Sequence, residues 1–197
     1  AGSRIDSTNA RSGNDGSWMQ VGRAGAGVLV IDNGGQVKND SDGMSIVGRF
    51  ATGIGSVAVN GINSLWDAGR LLLVGRNFDT TQGTTFDQGG IGIINASNGG
   101  VVKADLIEVG RNGRLEGDGT FEGNVRVMGG VVAPGNSPGT MTINGDFVFD
   151  SGFLELEAFS PTLQDHIVVT GNAIFGAGLI KIILGYTPTI NDVLNFF

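Results

Sequence analysis

Cysteine is absent from this chain of 197 residues, which removes disulfides, thiol nucleophiles and Cys-ligated zinc from consideration. Basic side chains are few. Twelve Lys and Arg against nineteen Asp and Glu leave a net charge of −7, and no three basic residues run together. A nucleic-acid partner needs a basic patch to meet its phosphates, so none is expected. Charged residues make up only 16% of the chain while apolar residues stand at 40%. Disorder needs the reverse balance, so the chain is expected to fold. No apolar run is long enough for a membrane-spanning helix. With four Pro and no Gly-X-Y period, collagen is excluded too. Long helix-forming stretches are also missing: the longest segment free of Gly and Pro is residues 3–12, and it is polar. A Gly inside a helix costs about 1 kcal/mol relative to Ala. Here 36 glycines place one every five or six residues. The chain reads as all-β.

What is present is a repeat. Val-Gly-Arg occurs at Val21-Gly22-Arg23, Val47-Gly48-Arg49, Val74-Gly75-Arg76 and Val109-Gly110-Arg111, at spacings of 26, 27 and 35 residues. The long interval holds Asn77-Phe78-Asp79-Thr80-Thr81-Gln82, which reads as a loop insertion on a constant unit. Spaced glycines, an apolar run and a Gly-rich turn follow: Val28-Leu29-Val30-Ile31 with Asn33-Gly34-Gly35, Ile91-Gly92-Ile93-Ile94 with Asn98-Gly99-Gly100, and Val125-Arg126-Val127 with Gly129-Gly130. Trp18 and Trp66 precede two of the tripeptides in similar company. Such a unit is too short to fold alone and matches one coil of a β-helix, with Val stacked on Val in a dry interior and Gly or Asn at the corners. Crossovers between parallel strands are right-handed, so a right-handed parallel β-helix (β-solenoid) of about seven to eight coils is expected, about 35–40 Å long.

Three regions are expected. Residues 1–16 form a polar N-terminal segment, a tether or a disordered lead; residues 17–120 hold the repeat coils; residues 121–197 hold greasier C-terminal coils or a cap of the same solenoid. The last region carries Phe147-Val148-Phe149, Phe153-Leu154-Glu155-Leu156-Glu157 and Leu179-Ile180-Lys181-Ile182-Ile183-Leu184, alternating on a period of two. The chain opens at Ala1 without a methionine or a charged-then-apolar leader, and reads either as mature after signal-peptide removal, the favoured expectation, or as a fragment.

These residues resemble the passenger regions of bacterial autotransporters and PEP-CTERM-type surface proteins. The Val-Gly element, spaced glycines and Asn-Gly-Gly turns carry the repeat. The closer match is Ala133-Pro134-Gly135-Asn136-Ser137-Pro138-Gly139-Thr140-Met141-Thr142-Ile143-Asn144-Gly145-Asp146-Phe147, continued by Asp165-His166-Ile167-Val168-Val169-Thr170-Gly171-Asn172-Ala173 and Gly185-Tyr186-Thr187-Pro188. The resemblance covers nearly all of the chain beyond residue 16. It implies an exported β-solenoid at the cell surface, adhesive or architectural. That family continues into an outer-membrane β-barrel or a sorting helix, where this chain stops at Phe196-Phe197.

Enzyme chemistry finds little support. Gly135-Asn136-Ser137-Pro138-Gly139 matches a nucleophile elbow in letters, but Pro138 has no N–H for an oxyanion hole and no helix follows. The pairs Glu116 with Asp118 and Glu155 with Glu157 could suit a glycosidase, yet sugar sites want aromatic platforms and the chain has one Tyr and two Trp. Asn39-Asp40-Ser41-Asp42-Gly43 offers oxygen ligands for Ca2+ without EF-hand spacing, and reads as a solvated turn. No cofactor is expected. His166, next to Asp165, reads as structural. The expectation is an extracellular, non-enzymatic solenoid that stacks head to tail with copies of itself into a surface or biofilm-matrix filament, through the apolar terminus Ile190, Val193, Leu194, Phe196 and Phe197. The alternative is a monomeric adhesin module that binds surface glycans. For it, Arg23, Arg49, Arg76 and Arg111 are the ligand-binding ladder, otherwise a solvated outer ladder with Asp32, Asp67, Asp87 or Glu108 interleaved. A carbohydrate-active β-helix enzyme is the minor alternative.

Overall fold

The alternation of short apolar runs with glycine turns produces strands and no helix among the described residues of a computed structural model, which are 3–6, 17–79, 83–86, 88–135 and 138–197. In chain order they are β1 (Arg4–Asp6), β2 (Trp18–Val21), β3 (Ala26–Ile31), β4 (Gln36–Lys38), β5 (Met44–Val47) and β6 (Ile54–Asn60). Next come β7 (Leu65–Asp67), β8 (Leu71–Val74), β9 (Asn77–Asp79), β10 (Thr84–Phe86), β11 (Ile91–Ser97) and β12 (Val101–Gly110). The rest are β13 (Gly113–Gly117), β14 (Thr120–Pro134), β15 (Thr140–Asn144), β16 (Phe147–Ser160), β17 (Leu163–Gln164), β18 (His166–Val169), β19 (Ala173–Phe175) and β20 (Leu179–Leu184). Eighteen of them join one nearly closed, mostly parallel sheet, and β9 and β10 form a separate antiparallel hairpin. The fold is solenoid-like.

Parallel pairing sorts the strands into three ladders. Face A runs β1, β4, β7, the start of β12, the start of β14, β15 and β18. Face B runs β2, β5, β8, the end of β12, the middle of β14, the start of β16 and β19. Face C runs β3, β6, β11, β13, the end of β14, the end of β16 and β20. Residues in register lie about 4.8 Å apart, so like side chains form columns. The motif valines are one such column: Val21, Val47, Val74 and Val109 stack in register, and Val127, Phe149 and Phe175 continue it. Face A stacks Val37, Trp66, Val102, Phe121 and Ile143 inward, all buried. Its outward column alternates in sign, Lys38, Asp67, Lys103 and Glu122, so register places opposite charges side by side.

The glycine of the tripeptide turns the corner from face B to face C. Gly22, Gly48 and Gly75 hold left-handed φ values of 70, 71 and 64°, where a Cβ is disfavoured. A Cβ at Gly48 would also stand 2.2 Å from the Ile91 carbonyl oxygen of the following rung. Val-Gly-Arg recurs because one residue must fill the interior and the next must be bare backbone. Gly110 departs from this: it belongs to β12 and sits at a register shift against Met128 and Gly129.

One expectation needs correction. The insertion after Arg76 is a β-hairpin rather than a plain loop: β9 and β10 pair, and Phe78 packs against Met44, Ile46, Leu71 and Leu73 on the outer side of face B. This gives the molecule a second apolar cluster outside its interior. The two tryptophans also occupy different places. Trp66 is fully buried in the interior, while Trp18 packs with the outer cluster, edge-on to Phe78 at 5.5 Å. Of the polar lead, only Arg4–Asp6, paired with β4, and Ser3 are described; the tether reading otherwise lies outside the described residues, as do Asp87 and Ser137 of the nucleophile-elbow match.

Candidate functional site

Burial along the interior columns ends abruptly at the last rung. Phe149, Leu154 and Leu156 are 1%, 0% and 0% exposed, and their register partners Phe175, Ile180 and Ile182 are 44%, 50% and 48% exposed. Every residue of β19 and β20 is exposed. These strands carry the same apolar pattern as the rung before, and no described strand pairs with their far side. The result is an open sheet end with a row of unpaired backbone groups and apolar side chains, the geometry that accepts another strand.

The five terminal residues singled out in the sequence do not all lie on that surface. Phe196 is 8% exposed and belongs to the interior cluster, and Leu194 packs against it. The Phe196 carbonyl accepts the Ile167 N–H at 2.8 Å, and the Asn195 carbonyl accepts Gln164 Nε2 at 3.0 Å. This segment closes the interior beside β18. Ile190, Val193 and Phe197 remain exposed, with Phe197 edge-on to Phe175 at 5.4 Å. The open surface is made mainly by β19 and β20, which sequence reasoning took for ordinary late strands.

The repeated arginines divide. Arg23 and Arg111 are exposed, whereas Arg49 and Arg76 are buried at 9% and 5%, contrary to the solvated outer ladder expected. The β9–β10 hairpin is the reason. Arg76 reaches Glu108 Oε2 at 3.4 Å through Nε and Thr85 Oγ1 at 3.0 Å through an amino group. Arg49 donates Nε to Asn77 Oδ1 at 3.2 Å and lies 4.9 Å from the Trp18 ring and 4.8 Å from the Phe50 ring. Arg23 lies 5.0 Å from the same Phe50 ring. Of the carboxylates expected to interleave, Glu108 does so, and Asp67 serves the face A column instead.

On the outer side of face C, Arg114 bridges Glu116 at 2.7 Å and Glu155 at 2.9 Å, and Lys181 reaches Glu155 at 3.1 Å. Arg114, Glu116 and Glu155 line a cleft of about 230 Å³ with Asn95, Pro134, Glu157 and Asp165. The Arg114 hydrogen bond holds the Glu155 carboxyl below its ordinary range, with Lys181 acting the same way. Asp165 is fully buried and accepts the N–H groups of Gly139 and Glu157 at 2.9 and 2.7 Å. Burial pushes its carboxyl up against those two bonds. Asp118 turns away from Glu116 to accept the Asn98 N–H at 2.9 Å. The Ca2+ candidate is largely structural: Asn39 is buried and its Nδ2 donates to the carbonyls of Ser17 and Met44 at 3.2 and 3.1 Å. His166 is half-buried, and its N–H donates to the Gly139 carbonyl at 2.9 Å.

Comparison with protein-family models, with curated proteins and with solved structures finds nothing that matches this chain.

Proposed function

We propose that the chain is a right-handed β-solenoid of seven turns that serves as a structural rod outside a bacterial cell and joins copies of itself through its C-terminal end. The observation that carries this is the bare last rung, where Phe175, Ile180 and Ile182 stand about half exposed in columns that are buried one rung earlier. Seven levels in each ladder support the turn count, and the bias of parallel crossovers supports the hand. The extracellular setting rests on the resemblance to exported surface proteins.

The occupant that fits is the first rung of a second copy, because the columns stay apolar across such a junction. Phe175 would meet Val21, and Ile180 would meet Leu29, each the opposite end of one column. Covering three half-exposed side chains supplies roughly 3 kcal/mol. Association costs about 4–15 kcal/mol, so strand pairing along β20 and cover for Leu179 and Leu184 must add to it. A non-enzymatic reading fits the cleft on face C, where Arg114 and Lys181 hold Glu155 and the backbone N–H groups of Gly139 and Glu157 hold Asp165, so both carboxyls have structural partners.

Sedimentation velocity and negative-stain microscopy over a hundredfold range of concentration test the reading. Thin fibres that lengthen with concentration are expected, and Ile180→Asp with Ile182→Asp should leave single rods. Discrete monomers of the native chain at every concentration would overturn it and favour the adhesin module. Discrete dimers would keep the C-terminal end as the contact and overturn the filament.

A further inference from the structure

A buried charge is ordinarily paired, because an isolated ion loses its hydration without recompense. Arg49 is not. It is 9% exposed, and among the described residues its guanidinium makes one hydrogen bond, from Nε to Asn77 Oδ1, a neutral acceptor. Neither Arg49 nor Arg23 forms an ion pair with an acidic side chain there. Both guanidiniums approach the Phe50 ring, at 4.8 and 5.0 Å. Burial pushes Arg49 below its ordinary pKa and the Arg23 charge pushes the same way, so the pair is mutually unfavourable as it stands. In a chain with net charge −7, two arginines are thus held together with no neutralising side chain between them among the described residues.

We infer that Arg49 and Arg23 form an anion site, and that its ligand is a carboxylate or sulfate group of the kind carried by acidic polysaccharides. The chemistry follows from the parts. The terminal amino groups of Arg49 find no acceptor among the described residues, and a guanidinium fork matches two oxygens of one anion. The Phe50 and Trp18 rings hold the Arg49 fork from the side and lower its freedom before any ligand arrives. Asn77, at the start of the β9–β10 hairpin, fixes the Nε edge. Arg23 is exposed, so the site opens to solvent on its side. Two arginines are too small a basic patch for the phosphate run of a nucleic acid, whereas a single carboxylate or sulfate group needs no more. The site lies on the first two rungs, far along the columns from the C-terminal end, and does not depend on the assembly reading.

Titration of the full chain with sodium sulfate, followed by Trp emission, tests this, since Trp18 lies 4.9 Å from Arg49. A saturable change is expected with sulfate and none with sodium chloride at equal ionic strength. Arg49→Gln should abolish it, and Arg23→Gln should raise the half-saturating concentration at least fivefold. Arg23 is exposed, so its variant keeps the test decisive if Arg49→Gln fails to fold. An equal response to chloride, or an unchanged response in a folded Arg49→Gln chain or in Arg23→Gln, would overturn the site. Galacturonate and its hexamer then separate the sources. Tenfold tighter binding of the hexamer assigns a polymeric glycan, and equal binding per group assigns a free anion.

Discussion

The two ends of one column are not alike. Val21, on the first rung of the motif-valine stack, is 8% exposed, while Phe175, on the last, is 44% exposed. The neighbouring face C column behaves similarly: Leu29 is half-buried and Ile180 is 50% exposed. A stack of identical units would open equally at both ends, so this molecule has a polarity. Its N-terminal end has its interior largely covered, and its C-terminal end leaves the side chains of the interior columns half exposed. A head-to-tail contact of the kind proposed would therefore require the N-terminal cover to yield at every junction. Contact between two C-terminal ends would not require it.

The sharpest way to probe this difference is to delete the same side chain on adjacent rungs. Phe149→Ala removes a buried ring, and such deletions cost about 3–5 kcal/mol. Phe175→Ala, one rung later in the same column, removes a ring already 44% exposed. It should cost less than about 2 kcal/mol in the dilute monomer. Urea denaturation of both at low concentration measures the gap. If they cost the same, the last rung is covered in solution and the ends are not different after all. If copies join through this end as proposed, the gap should narrow at high concentration, because the contact would bury Phe175.

A second contrast lies within the covered end. Gly92 stands in the face C glycine column with Gly55 and Gly113, and a Cβ there would meet the Val47 carbonyl oxygen at 2.3 Å. Backbone of an adjoining strand cannot swing aside as a side chain can, so Gly92→Ala should cost roughly 1–3 kcal/mol or more. Gly25, on the first rung, has nothing within 4 Å of such a Cβ. Gly25→Ala should be neutral or raise stability by up to about 1 kcal/mol, through the unfolded chain. Thermal melts of the two variants decide it, and a costly Gly25→Ala would mean that the first rung is more tightly covered than its surroundings show.

These glycines and valines are also where the sequence was most legible. Val21, Val47, Val74 and Val109 recur at near-constant spacing because each rung repeats one chemical task, and periodicity exposes that task directly. Of the arginines beside them, Arg49 and Arg76 were misread as solvated because their burial depends on the β9–β10 hairpin, which occurs once and has no period. A local sign of it was present. Met44-Ser45-Ile46-Val47 and Leu71-Leu72-Leu73-Val74 have no outward polar alternation of the usual kind, as strands covered on both faces do. The terminal residues were misjudged for a different reason. An apolar tail such as Val193-Leu194-Asn195-Phe196-Phe197 can plug an end or expose one, and composition does not distinguish the two.

The smallest effect concerns charge at the open end. Lys181 of β20 and Arg114 of β13 both grip Glu155, so a surface ion network ties the last rung to those beneath it. Arg114, followed by Lys181, holds the Glu155 carboxyl below its ordinary range in the folded chain. A carboxyl depressed on folding stabilises above its unfolded pKa, and that contribution is lost as pH falls through the folded value. Stability should therefore fall on the acid side of the ordinary Glu range, by about 1 kcal/mol or less for partly exposed pairs. Asp165 works in the opposite sense, since burial raises its carboxyl and protonation then favours the fold. Arg114→Gln should flatten the acid-side loss and leave the Asp165 contribution in place. Denaturation midpoints of the native chain and the variant, compared between pH 7 and pH 3, read this directly. Parallel curves would mean that the network does not hold the last rung, leaving β20 attached by its backbone pairing and apolar contacts alone.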